Sequence, residues 1–168
     1  LVEVTFVNDL RGTGDLTITK FVKHDLGTDH VIPDDLTFTV DVTLSGLGTA
    51  NATFDAVHTD GSITAVTTDE NGRFTVTLGH MEQVQIMGLP AGTVATVVER
   101  DPATGFAPVY LESGTEGDGV VTIVKNETAT VTVENRYTTE GVKPVHVVLE
   151  GTKTLKTDAA DWNGAEFT

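Results

Sequence analysis

The chain of 168 residues contains no cysteine. That excludes disulfides, thiolate metal sites and a cysteine nucleophile. Basic residues are scarce: 10 Lys and Arg stand against 25 Asp and Glu, a formal net charge of −15. Phosphate contacts need clustered Lys and Arg, so nucleic-acid binding is excluded as a reading, and adsorption to anionic lipid is disfavoured on the same ground. No apolar run approaches the roughly 18 residues of a membrane span, which argues against direct membrane insertion. Aromatics are only 6% of the chain, with a single Trp, Trp162. Serine is rare, and there is no Gly-x-Ser-x-Gly elbow or phosphate loop, so hydrolase and nucleotide readings find no motif to rest on. No loop has the Asp-x-Asp-x-Asp-Gly spacing of a calcium site. His24 and His30, with Asp25 and Asp29, sit in a Gly-containing stretch without ligand spacing and read as a solvated acidic loop rather than a metal site. No cofactor is implied.

Thr and Val are abundant: 54 of 168 residues. Both are β-branched and favour strands, and 17 Gly and 5 Pro punctuate the runs. Residues 15–22 alternate with Leu16, Ile18, Lys20 and Val22 on one face. Residues 36–44 place Leu36, Phe38, Val40, Val42 and Leu44 inward and Thr37, Thr39, Asp41 and Thr43 outward. Asn71-Gly72, ahead of RFTVTLG, predicts a tight hairpin turn, and LPAG at 89–92 a second turn. Further strands are predicted near 82–88, 93–100, 106–112, 119–125 and 129–137. No stretch has a useful helical period. Seven to nine short strands at this spacing predict an all-β sandwich.

The two ends repeat the middle. VEVTFVNDL at 2–10 is similar to TVTVENRY at 130–137, and EGTKTL at 150–155 to DLTITK at 15–20. Near-constant offsets at both ends are the mark of a tandem array. Residues 1–12 are expected to be the last strand of a preceding repeat, 13–138 a complete domain and 139–168 the start of a following repeat. Leu1 falls inside an alternating stretch, which predicts a segment cut from a longer chain.

Polar residues fall in step with the apolar ones in both copies. Lys20 shares the parity of Leu16, Ile18 and Val22, and Asn135 that of Val131, Val133 and Tyr137. Asn8 and Lys153 hold the equivalent places in the neighbouring repeats. A buried Lys is rare unless paired. A Lys amine and an Asn carboxamide held together in a dry core can condense to an amide with loss of ammonia. Desolvation supplies the neutral amine, a nearby protonated carboxylic acid polarises the carboxamide, and burial favours the neutral form of both groups. Fixed proximity contributes roughly 7–11 kcal/mol over a bimolecular encounter.

First-strand "LTITK", the strand "FTVDVTL", "GLPAGT" followed by "VVERD", and terminal "VTVENRY" occur in an order and spacing that resembles the CnaB-type domains of Gram-positive pilins and surface adhesins, over residues 14–137. The wording is most similar to repeat domains of actinobacterial surface proteins. The resemblance implies an Ig-like, prealbumin-like sandwich carrying a self-formed isopeptide bond, with Lys20 as nucleophile, Asn135 as electrophile and Glu99 of VVERD as the catalytic acid. Periodicity alone does not orient Glu99, since its strand is apolar on both faces; Asp41 is the rival acid, although it lies on the Thr face of its strand. The implied role is a stalk or shaft module at the cell surface, in a pilus or cell wall-anchored adhesin, with neighbouring domains of the same protein as partners. It would be an enzyme only in the sense of one intramolecular turnover. Two other readings stay open: an adhesin module binding host protein or glycan through loops 23–35, 45–61 or 101–119, and an accessory domain of an extracellular enzyme.

Overall fold

The structure is a computed structural model that describes residues 11–24, 32–102 and 107–137. Eleven strands occur among these residues, and no helix. They are β1 (Thr13–His24), β2 (Thr37–Ser45), β3 (Thr53–His58), β4 (Ile63–Thr67), β5 (Arg73–Gly79), β6 (Gln83–Pro90), β7 (Val94–Glu99), β8 (Ala107–Glu112), β9 (Thr115–Gly117), β10 (Val120–Thr122) and β11 (Thr128–Tyr137). A seven-stranded sheet has the order β4-β3-β6-β1-β11-β8-β9, and a four-stranded sheet the order β10-β7-β2-β5. This is the all-β sandwich that the alternation predicts.

The core lies between the two inner faces. The larger sheet contributes Leu16, Ile18, Val84, Ile86, Leu89, Val131 and Val133. The smaller one contributes Val40, Val42, Leu44, Phe74, Val76, Leu78, Ala95 and Val97. Each fully buried aliphatic of this size stabilises the fold by about 1.5–3 kcal/mol. The outward positions of β2 and β5 are mostly Thr, which suits the solvated side of a pleated surface.

The first and last strands are neighbours in the middle of the larger sheet. β1 pairs with β11 in parallel, with Lys20 opposite Val133 and Val22 opposite Asn135. On its other side β1 pairs antiparallel with β6, from Thr13 to Thr19. Because β1 and β11 are parallel, the chain enters β1 at one end of the sandwich and leaves β11 at the other.

The structure departs from the strand pattern expected of the sequence in two places. Strands β3 and β4 were not expected, nor was the short β9, so the count exceeds the predicted seven to nine. The burial patterns show why: β3 and β4 form a hairpin at the sheet edge with few buried side chains, and they lack clean alternation. Asn71-Gly72 does turn the chain but closes no hairpin. It carries the chain from β4 in one sheet to β5 in the other, and β5 pairs with β2. The Asp69 carboxylate organises this corner by accepting the Asn71 and Arg73 backbone N–H groups, each at 2.8 Å. Gly72 has φ of +75°, and a Cβ there would stand 2.2 Å from the Leu44 carbonyl oxygen. The residue is needed for both conformation and space.

Candidate functional site

β1 carries Lys20 on its inner face because every second residue from Leu16 points there. The same alternation on β11 turns Asn135 inward after Val131 and Val133. Lys20 and Asn135 are diagonal neighbours on adjacent parallel strands, two register positions apart. Both are fully buried, and Lys20 is the largest fully buried side chain of the core. Glu99 comes from the opposite sheet. On β7 the buried positions are Ala95, Val97 and Glu99, so the last residue of the strand faces Lys20 and Asn135 across the core.

The carboxylate of Glu99 bridges the other two side chains. Lys20 Nζ donates to Glu99 Oε2 at 2.9 Å, and Asn135 Nδ2 donates to Glu99 Oε1 at 2.9 Å. Lys20 Nζ also donates to the Val133 carbonyl at 3.3 Å. The Phe38 ring, on β2, lies beneath the amine with its centroid 4.3 Å from Nζ. The Lys20–Glu99 side chains are 0% and 1% exposed, so the pair is held away from water. Asn135 Oδ1 is buried and has no hydrogen-bond partner among the described residues. An unmet buried acceptor costs about 1–3 kcal/mol. A half-turn of the carboxamide would place Oδ1 against Glu99, where a protonated carboxyl donates to it.

Opposing effects act on the amine. Burial is the largest and pushes the Lys20 pKa below its ordinary value. The hydrogen bond and charge of Glu99, and more weakly the charge of Glu134, push back. The net direction is downward, toward the neutral amine that a nucleophile requires.

Asp41, the rival acid, lies on the outer face of the smaller sheet with 38% of its side chain exposed, in a bidentate pair with Arg100. It does not approach Lys20. Asn8 and Lys153 fall outside the described residues, as do Asp25, Asp29 and His30.

Sequence reasoning passed over three neighbours of the site. Phe38 was read as core but not as the floor beneath the amine. His80 accepts the Val22 backbone N–H on Nδ1 at 3.0 Å, and its ring lies tilted at 49° against Phe21 with centroids 5.0 Å apart. Tyr110 accepts the Glu99 backbone N–H on its hydroxyl at 3.1 Å. No periodic signal marked either residue, since His80 sits in a turn and the apolar neighbours of Tyr110, Val109 and Leu111, occupy the opposite parity.

The chain is similar in structure to the pilus-presented adhesin Spy0125 (Cpa), with a TM-score of 0.55 and 22% identity over 75% of this chain and 27% of that one. It is also similar to the major pilin protein T3.2 from Streptococcus pyogenes serotype GAS13637, with a TM-score of 0.58 and 17% identity over 75% of this chain and 45% of that one. A further major pilin from Streptococcus pyogenes gives 0.57 and 18%, over 76% and 48%. The chain thus spans a quarter to a half of the length of these structures, and at such identities the likeness establishes the fold. No curated protein matches the sequence. The model of a domain of unknown function, DUF7601, matches residues 14–137, which is the sandwich from the start of β1 to the end of β11, and the chain belongs to that family.

Proposed function

We propose that this domain is a structural module of a Gram-positive surface stalk, pilus or adhesin, and that it ties its first strand to its last by a self-formed amide between Lys20 and Asn135. The observation that carries the reading is the Glu99 carboxylate, buried and hydrogen-bonded at once to the Lys20 amine and the Asn135 carboxamide. A buried Lys–Glu pair is weak evidence of stability for its own sake, because desolvation offsets much of its Coulomb energy. A Lys, a Glu and an Asn assembled in a dry core from three different strands is better explained by chemistry.

The steps balance without a cofactor. Lys20 passes a proton to Glu99, leaving a neutral amine and a neutral carboxylic acid. The amine nitrogen attacks Asn135 Cγ while the acid donates to the amide oxygen. The tetrahedral centre collapses, the C–N bond to the original amide nitrogen breaks, and that nitrogen leaves as ammonia. The attacking amine gives one hydrogen to that leaving nitrogen, and the proton that Lys20 first held departs with the ammonia as ammonium, so Glu99 ends as a carboxylate. The event occurs once per molecule, so the domain is a self-modifying structural protein and not a turnover enzyme.

The bond would join neighbouring parallel strands through which the chain enters and leaves the sandwich, so tension passes along β1, across the amide and out along β11. This replaces the disulfide that a cysteine-free exported protein lacks. The likeness in fold to pilus proteins supports a place at the cell surface among similar domains. Residues 1–12 and 139–168 then belong to the adjoining repeats, with Asn8 and Lys153 as their bond partners.

Intact mass tests the chemistry. The wild-type chain is expected to be lighter than its sequence by one ammonia, and Lys20→Ala and Asn135→Ala are each expected to have their full sequence mass. A wild-type chain of full mass contradicts the reading, and loss of ammonia from either variant shows that another pair reacts.

A further inference from the structure

We propose that Tyr110 is the positioning residue for Glu99 and that its hydroxyl sets the rate at which the cross-link forms; the inference rests on the reading of the Lys20–Glu99–Asn135 site given above. Glu99 is the final residue of β7. One edge of β7 is held there by β2, where Val40 stands opposite Glu99. The other edge faces β10, which is only three residues long and whose pairing ends with Val120 opposite Thr96. The Val97 N–H still reaches the Gly119 carbonyl at 2.9 Å. The next N–H on that edge belongs to Glu99, and no strand is left to receive it. It is met by the phenol oxygen of Tyr110, which crosses from β8 in the opposite sheet.

The surroundings are shaped for this crossing. Tyr110 stands opposite Val133, so its side chain enters the core next to Asn135's strand. Gly119 has φ of +80°, and a Cβ there would lie 2.5 Å from the Val97 carbonyl oxygen and 3.1 Å from Tyr110 Cδ1. A larger residue would collide with both the strand and the ring. The Glu112 carboxylate fixes the corner that carries Gly119 by accepting the backbone N–H groups of Asp118, Gly119 and Val120 at 2.9, 2.8 and 3.1 Å.

Without the hydroxyl the Glu99 N–H loses its acceptor and the end of β7 is held on its β2 edge alone. The carboxylate would then lose its fixed place between amine and carboxamide. A displacement of about 1 Å at a reacting group can slow a reaction roughly 100-fold. The hydrogen bonds of the amine and the carboxamide run to Glu99 and Val133, and the phenol meets the Glu99 backbone, so its effect is exerted through that backbone.

The test uses the whole chain, recovered unjoined in urea and refolded by dilution, with samples quenched in acid at intervals and weighed. Wild type, Tyr110→Phe and Tyr110→Leu are compared, each rate divided by the folded fraction from circular dichroism. The expected result is that Tyr110→Phe folds but loses ammonia roughly 10- to 100-fold more slowly than wild type. Its rate should also follow a shifted pH profile, because the carboxylate that exchanges protons has moved; a change in folded fraction alone would not shift it. A wild-type rate and pH profile in Tyr110→Phe overturns the proposal, as does a normal rate in Tyr110→Phe with a slow one in Tyr110→Leu, which would assign the effect to ring packing. If wild type itself never loses ammonia, the reading of the site fails and the proposal with it, and that outcome is distinct from the other two.

Discussion

Removing the Glu99 carboxylate would leave the Lys20 amine with the Val133 carbonyl and the Phe38 ring as its remaining partners in the core. Glu99→Ala is expected to yield folded protein in which Lys20 and Asn135 stay unjoined, read as full intact mass. Breaking a buried ion pair from one side costs about 3–5 kcal/mol, so this variant should also melt well below Asn135→Ala, in which the pair survives. The lowered Lys20 pKa has its own consequence in an unjoined chain. The folded state binds the Lys20 proton less readily than the unfolded state, whose Lys keeps its ordinary value near 10.5. Protonation therefore opposes folding, and stability should rise with pH through the alkaline window that ends near that value. Denaturant unfolding of Asn135→Ala across this window should show the rise, and the double variant carrying Lys20→Met should lose it. Equal slopes would mean that the buried amine is not desolvated in solution. Of the three site residues, Lys20 and Asn135 were legible from parity alone, because a polar side chain in step with Leu, Ile and Val has nowhere to go but the core. Glu99 was legible only through resemblance, since its strand has Val on both faces, at Val97 and Val98, and the pattern could not say which side is inward.

At the level of the elements, strands that span the core announce themselves and edge strands do not. β2 alternates without a fault because both of its neighbours and the opposite sheet demand it. β4, at the margin of the larger sheet, buries almost nothing, and its sequence ITAVT carries no period to read. Asn71-Gly72 was misread for a related reason: its chemistry dictates a turn, whereas the partners of the flanking strands are decided by distant residues on β2 and β3. Substituting Gly72 by Ala is expected to destabilise the domain by at least about 1–2 kcal/mol from the left-handed backbone alone, with more from the approach to the Leu44 carbonyl. Denaturant melts in the unjoined Asn135→Ala background would measure it. β1 extends beyond its pairing with β6, and there His80 takes the Val22 N–H. Burial, then the positive ends of His24 and Lys20, hold the His80 pKa below its ordinary value of 6.5. The folded state thus resists protonating this ring, and stability should fall as pH drops through and below 6.5. His80→Gln should lessen that acid-side fall; an unchanged pH profile would show that the ring does not hold β1.

For the molecule as a whole, the arrangement of first and last strands matters more than the number of strands between them. A bond from Lys20 to Asn135 closes a loop of 115 residues, the difference between the two positions. Treated like a disulfide, such a link stabilises by roughly 4–5 kcal/mol through the unfolded chain. Under tension the joined domain is expected to release no chain between the two residues. Asn135→Ala should unfold with a gain of up to roughly 400 Å, the reach of that many extended residues. Single-molecule stretching of both forms would check this, and an unfolding step of that size in wild type would contradict the force path through β1 and β11. The most direct measurement of the central claim is peptide mapping of the protease-digested wild-type protein by tandem mass spectrometry. It should reveal a branched peptide in which a segment containing Lys20 is joined to one containing Asn135, lighter by one ammonia than the sum of the two separate segments. Recovery of both segments only as separate linear peptides of full mass would contradict it.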